Sequence, residues 1–164
     1  MAYDPTAWAT FSGAIVTADA ALVGLIFVAV SINLDHILAL PGMDALAFEA
    51  LLVPSVVLIS AVAVLVPGQP VAALAVELVL VVIAHVAVSA SSRRAAKASA
   101  PEGRHDDVLT QVIQSIPGVL ILIAAGSLAL GAGGGLYWLA PAWVVGMLLG
   151  IFNAWRLLVE VKRV

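Results

Sequence analysis

No cysteine occurs among the 164 residues, which excludes disulfides, thiolate metal sites and iron–sulfur clusters. Charge is nearly as scarce, at 10% of the chain, and no lysine or arginine precedes Arg93. All seven basic residues fall in two short segments, Arg93 to Arg104 and Arg156 to Arg163. With so few charges, 63% hydrophobic residues and a mean hydropathy of +1.16, the chain has too little polar surface for a water-soluble globule. Lipid is its solvent. Missing too are HExxH, GxSxG and a glycine loop followed by Lys-Ser or Lys-Thr, and no apolar run contains a lysine for a Schiff base. The reading that follows is of a non-enzyme, with no catalytic residue, no metal, no cofactor and no nucleic-acid partner. A bis-histidine haem on His36 and His85 is formally open, but a lone membrane histidine is more often packed than ligating.

What is present is a series of apolar runs. A helix needs about 20 residues to cross a hydrocarbon core of about 30 Å, and five runs qualify, near 11–34, 45–66, 70–90, 112–131 and 136–158. They are Ala, Leu and Val blocks without the alternation of barrel strands, so they predict an all-α polytopic bundle forming a single transmembrane domain. Breaks are expected at Asp35-His36 through Pro41-Gly42, at Pro67-Gly68-Gln69-Pro70, across the basic loop 91–107, and at Gly131 through Gly135. Asp106 or Asp107 is placed to cap the fourth span.

Five crossings put the loop 91–107 and the C-terminal tail on one side. The positive-inside rule then predicts a cytoplasmic C-terminus and an N-terminus outside. Residues 1–10 carry no base and lack the pattern of a cleaved signal peptide. Trp8, Tyr137 and Trp138 fall in the expected outer aromatic belt and Trp155, beside Arg156, in the inner one. The cluster of Arg93, Arg94 and Lys97 is within reach of anionic headgroups, although setting topology is a sufficient role for it.

Polar residues inside the runs stand out, because an ionised side chain at the centre of a span costs about 2.5–3.5 kcal/mol on insertion scales. Asp19, Glu49, Glu77 and His85 are the four. At about 1.5 Å per residue, Asp19 and Glu77 come out at one depth, and Glu49 and His85 at a second, deeper one. Arg156, near the inner end of the last run, is the one lysine or arginine inside the predicted spans, so nothing fixed neutralises Asp19 or Glu77, and desolvation disfavours their charged forms. The expectation is a proton or cation pathway with Asp19 and Glu77 as outer site, Glu49 and His85 as inner site, and Asn33 along the same helix stripe. Ser12, Asp19, Ile26 and Asn33 recur every seven residues, and Thr17, Gly24 and Ser31 form a second stripe, which predicts a central or pore-lining first helix. Pro54 and Pro117 each free a carbonyl four residues earlier. Gln111, Gln114 and Ser115 add to a polar inner half.

In the last span Ala142, Gly146, Gly150 and Ala154 are spaced by four, with Asn153 close by. Small residues at that spacing let backbones approach, and the partner is either another helix of the chain or a second molecule. Two functions from different classes remain. One is a small homo-oligomeric proton or cation channel or carrier, favoured by the number of ionisable groups. The other is an accessory subunit that docks a larger membrane protein through the face around Gly146 and Gly150.

The run Gly24-Leu25-Ile26-Phe27-Val28-Ala29-Val30-Ser31-Ile32-Asn33-Leu34-Asp35 resembles the leading helix of small, largely uncharacterised bacterial multi-pass proteins, mostly actinobacterial, some of them labelled modulators of the FtsH membrane protease. The likeness continues loosely from Tyr137-Trp138 to Asn153-Ala154-Trp155. It implies a bacterial plasma-membrane location, assigns no catalytic residue, and lends the regulatory reading slight support. Ala21-Leu22 with Gly24, Val28 and Ala29 is also faintly similar to the pore helix of Orai calcium channels. Those channels have four crossings and a cytoplasmic N-terminus, and their selectivity glutamate aligns near Ile32 here, so no channel residue carries over.

Overall fold

A computed structural model of the protein describes residues 1–39, 43–99 and 108–162. The described residues are 89% helical, with no strand. Six α-helices follow one another: α1 (Ala9–Ile32), α2 (Leu34–Ala39), α3 (Met43–Val64), α4 (Val71–Ser99), α5 (Val108–Leu130) and α6 (Leu139–Lys162). All but α2 belong to stretches long and apolar enough to cross a membrane. The protein is accordingly an integral membrane protein of five spans.

Helix α3 is the most buried of the five and α1 the least. α3 packs against α1, α4 and α6, while α5 lies against α4 and α6. This corrects the expectation of a central first helix. Only one of the two α1 stripes turns inward: Ser12, Asp19 and Ile26 are buried, whereas Thr17, Gly24 and Ser31 are exposed. The outward hydroxyls bond their own helix, Thr17 Oγ1 donating to the Gly13 carbonyl at 2.9 Å and Ser31 Oγ to that of Phe27 at 2.8 Å. A hydroxyl satisfied within its own helix tolerates lipid, so a polar stripe does not require a central position.

The closest packing joins α3 to α6, and the glycines of α6 make it. Val57 sits against Gly146, and the Pro54 ring against Gly150. Pro117 of α5 also reaches Gly146, within 3.7 Å of where a Cβ would stand. The two prolines inside helices thus supply rings that fill the glycine face. Gly146 and Gly150 of the small-residue face are thus covered within the chain. The surrounding core is Leu74, Leu78, Ile121, Leu139 and Trp143, all fully buried.

At one end, Trp8 meets Tyr137 edge to face at 5.0 Å. Here the N-terminal residues cross the turn before α6: Leu136 N–H donates to the Ala2 carbonyl at 2.8 Å and Gly134 N–H to the Tyr3 hydroxyl at 3.1 Å. Gly133, Gly134 and Gly135 all take positive φ, which lets the turn close tightly. We call this the aromatic end. The other, basic end carries Arg93, Arg94 and Arg156. There α2 replaces part of the loop expected from Asp35-His36 onward and buries Ile37 against Ala47 and Leu157. The expected loop at 91–107 also begins late, because α4 continues to Ser99 through alanines, arginines and a lysine, all good helix formers. Pro41-Gly42, Arg104, Asp106 and Asp107 lie outside the described residues, as do the side chain of Lys97 and the expected cap of α5.

Candidate functional site

Several polar residues of the basic half line one cavity of about 400 Å³ formed between α3, α4 and α5. Glu49 reaches it from the first turns of α3, His85 and Arg93 from α4, and Gln111, Gln114 and Ser115 from α5. Its apolar walls include Val82 and Leu122. Glu49 and His85 share this site, as their depths predict. Glu49 is not paired with His85, however: its Oε1 accepts a hydrogen bond from Arg93 Nε at 2.9 Å, forming a part-buried ion pair. That corrects the expectation of a third span, 70–90, without lysine or arginine, since it extends to Arg94.

The pairing has a geometric origin. Measured from the tight turn at 67–70, Arg93 lies about five residues, or ~7.5 Å, farther along α4 than Glu49 lies along α3. Side chains on a helix slant toward its N-terminus, so the long arginine leans back into the bundle and makes up that distance. A carboxylate in the span is thereby neutralised, and with a charge-assisted hydrogen bond.

The other groups differ in how far they are satisfied. Gln114 and Asn153 exchange two amide hydrogen bonds, at 2.7 and 3.2 Å, tying α5 to α6 behind the cavity. Ser115 Oγ donates to the Val112 carbonyl at 2.7 Å, leaving its lone pairs as acceptors. His85 Nδ1 is buried with no hydrogen-bond partner. A buried polar atom without a partner costs stability, and in a native structure it asks for a ligand, a water or a role.

Asp19 stands elsewhere. It is 0% exposed, enclosed where α1 packs on α3, and both carboxyl oxygens lack a hydrogen-bond partner. It approaches the backbone at Leu58 without completing a hydrogen bond. Ser12, two turns away on the same buried stripe, is also unpartnered. The expected outer layer is not assembled: α1 and α4 both pack on α3 and make no extensive contact with each other, so Asp19 and Glu77 lie on different flanks of α3. Glu77 is half-buried beside Leu74 and Leu78. Asn33 stands at the end of α1, where its amide donates to the Ala29 carbonyl at 2.8 Å. It ends a helix and lines no part of the cavity. His36 is exposed on α2, apart from the His85 cavity, so the two histidines do not face one site.

A further polar contact that the sequence did not reveal lies in the core. Trp143 is fully buried and donates its indole N–H to Ser60 Oγ at 2.9 Å, and Ser60 donates in turn to the Val57 carbonyl. Its signal was positional: Trp143 lies more than a turn inside its span, beyond the interfacial belt where the other tryptophans fall. Among the described residues no cluster of three or more His, Asp or Glu suits a metal ion. Comparison of the chain with protein-family models, curated proteins and solved structures gives no match.

Proposed function

We propose that the protein is a small, non-catalytic channel or carrier for protons or small cations, acting as a homo-oligomer. Its setting is a bacterial plasma membrane with the basic end cytoplasmic. One observation carries the reading: Glu49 and His85, two proton-exchangeable side chains, and the amides of α5 surround a single cavity at the basic end. Histidine exchanges protons near neutral pH, and a carboxylate is a second group that can take one up. Glu77 is the next station of the proposed path, about 12 Å from His85 along α4 toward the aromatic end. Asp19 is left off it, because α1 does not line the cavity.

The competing reading, an accessory subunit of a larger complex such as a membrane protease, loses its expected docking face, since Gly146 and Gly150 are covered by Val57 and Pro54. The test is proton, sodium and potassium flux into liposomes containing the purified protein. Glu49→Gln, His85→Gln and Glu77→Gln are expected to lose most of the flux, and Asp19→Asn to keep it. Folded, inserted wild type that moves no ion above empty liposomes would sink the proposal.

A further inference from the structure

The cavity is also open to the bilayer. Val86, Val119 and Leu122 line it, yet they are 58%, 50% and 42% exposed. Its mouth therefore lies on the outer surface between α4 and α5, at the depth of the acyl chains. Its polar groups, Glu49, Arg93 and Gln111, gather toward the basic end, where headgroups lie. A cavity of about 400 Å³ falls within the ~300–1,000 Å³ typical of small-molecule sites. We propose that it binds an uncharged amphiphile drawn from the lipid phase, with a hydroxyl-bearing head at the polar end and an aliphatic tail along Val86, Val119 and Leu122.

The chemistry of the lining selects against charged heads. Glu49 and Arg93 neutralise each other, so an anionic head gains Arg93 only by displacing Glu49, and a cationic head gains Glu49 only by displacing Arg93. Either exchange leaves a charge unpaired inside the span, which is strongly unfavourable. An uncharged hydroxyl leaves the pair intact and can donate to Ser115 Oγ, whose lone pairs are still open in the lining. Gln114 is not needed for the head, being committed to Asn153. The tail meets valine and leucine walls, and Gly118 widens the slot beside Val82. This inference goes beyond transport, because binding is read without any flux and the two proposals fail separately.

The test uses the full chain in phosphatidylcholine liposomes with a monoacylglycerol carrying a photoactivatable diazirine in its tail, and in parallel a lysophosphatidic acid with the same tail. Irradiation followed by mass-spectrometric mapping is expected to place the monoacylglycerol on α4 and α5 around Val86, Val119 and Leu122, displaceable by unlabelled monoacylglycerol. Val119→Trp, which blocks the mouth from its lipid side, is expected to reduce that labelling about tenfold. Ser115→Ala removes the head's partner with little change of volume and is expected to reduce it as well, with Phe152, on the lipid face of α6, labelled as before. Labelling spread evenly over all lipid-facing helices overturns the proposal. So does labelling by the anionic probe equal to or above that by the neutral one, or labelling that neither substitution changes.

Discussion

Adding one methyl group to the glycine face of α6 is the sharpest probe of how this bundle is held together. A Cβ on Gly146 would overlap Val57 Cγ2, and one on Gly150 would stand 2.6 Å from Pro54 Cγ and 3.3 Å from its Cδ. Neither neighbour yields readily: valine in a helix is nearly confined to one rotamer, and the proline ring is fixed to the backbone. The helices must separate locally, and overpacking of this kind costs about 1–3 kcal/mol. The gain in helix propensity from glycine to alanine, about 0.5–1 kcal/mol, offsets part of that. We therefore expect Gly146→Ala and Gly150→Ala each to destabilise the protein by about 1–2 kcal/mol. Gly126→Ala, where a Cβ meets nothing within 4 Å, is the matched control and should be neutral or slightly stabilising. Unfolding by SDS titration of mixed micelles, followed by tryptophan fluorescence, measures all three, since the fully buried Trp143 reports on the α3–α6 contact. If Gly146→Ala matched Gly126→Ala in stability, the packing described for α6 would be wrong. If it split an oligomer while leaving the fold intact, the face would belong to an interface between copies.

Three further outcomes follow from individual contacts. Arg93→Gln should lower stability by about 1–3 kcal/mol by leaving Glu49 unpaired in the span, and Glu49→Gln in the same chain should restore most of it; additive effects in that double-mutant cycle would rule out the pair. Trp143→Phe and Ser60→Ala should each cost about 1 kcal/mol or more, and together less than their sum because they share one hydrogen bond; full additivity would show that the bond contributes nothing. Asp19→Val removes two buried oxygens that have no partner, so stability is expected to hold or to rise by up to about 1–3 kcal/mol; a clear loss on thermal unfolding would reveal a partner for the carboxyl.

The spans were legible because the membrane imposes a length and a composition that a single sequence displays directly. Convergence of Glu49 and His85 was legible by counting residues from the helix ends, since rise per residue is constant. Counting gives depth but not azimuth. Asp19 and Glu77 therefore match in depth and still end on different flanks of α3, a separation that no property of either helix encodes. The second α1 stripe misled for a different reason: a hydroxyl looks polar in a sequence whether or not it bonds its own backbone, as Thr17 and Ser31 do. Arg93 was read as a topological signal in the basic loop 91–107, and its second role depends on where a neighbouring helix presents a carboxylate.

The sequence alone determined that this protein lives in lipid, that it crosses as five helices, and that its basic residues gather at one end of the bundle. Those properties follow from transfer free energies summed over each segment, so they are local. The tertiary structure decided that α3 is central, that α6 uses its glycines on Pro54 and Val57, and that Glu49 belongs to Arg93 in a cavity open to the bilayer. Helices in lipid have no hydrophobic force to order them, and shape and a few polar pairs choose their neighbours. Such complementarity exists only between surfaces already brought together.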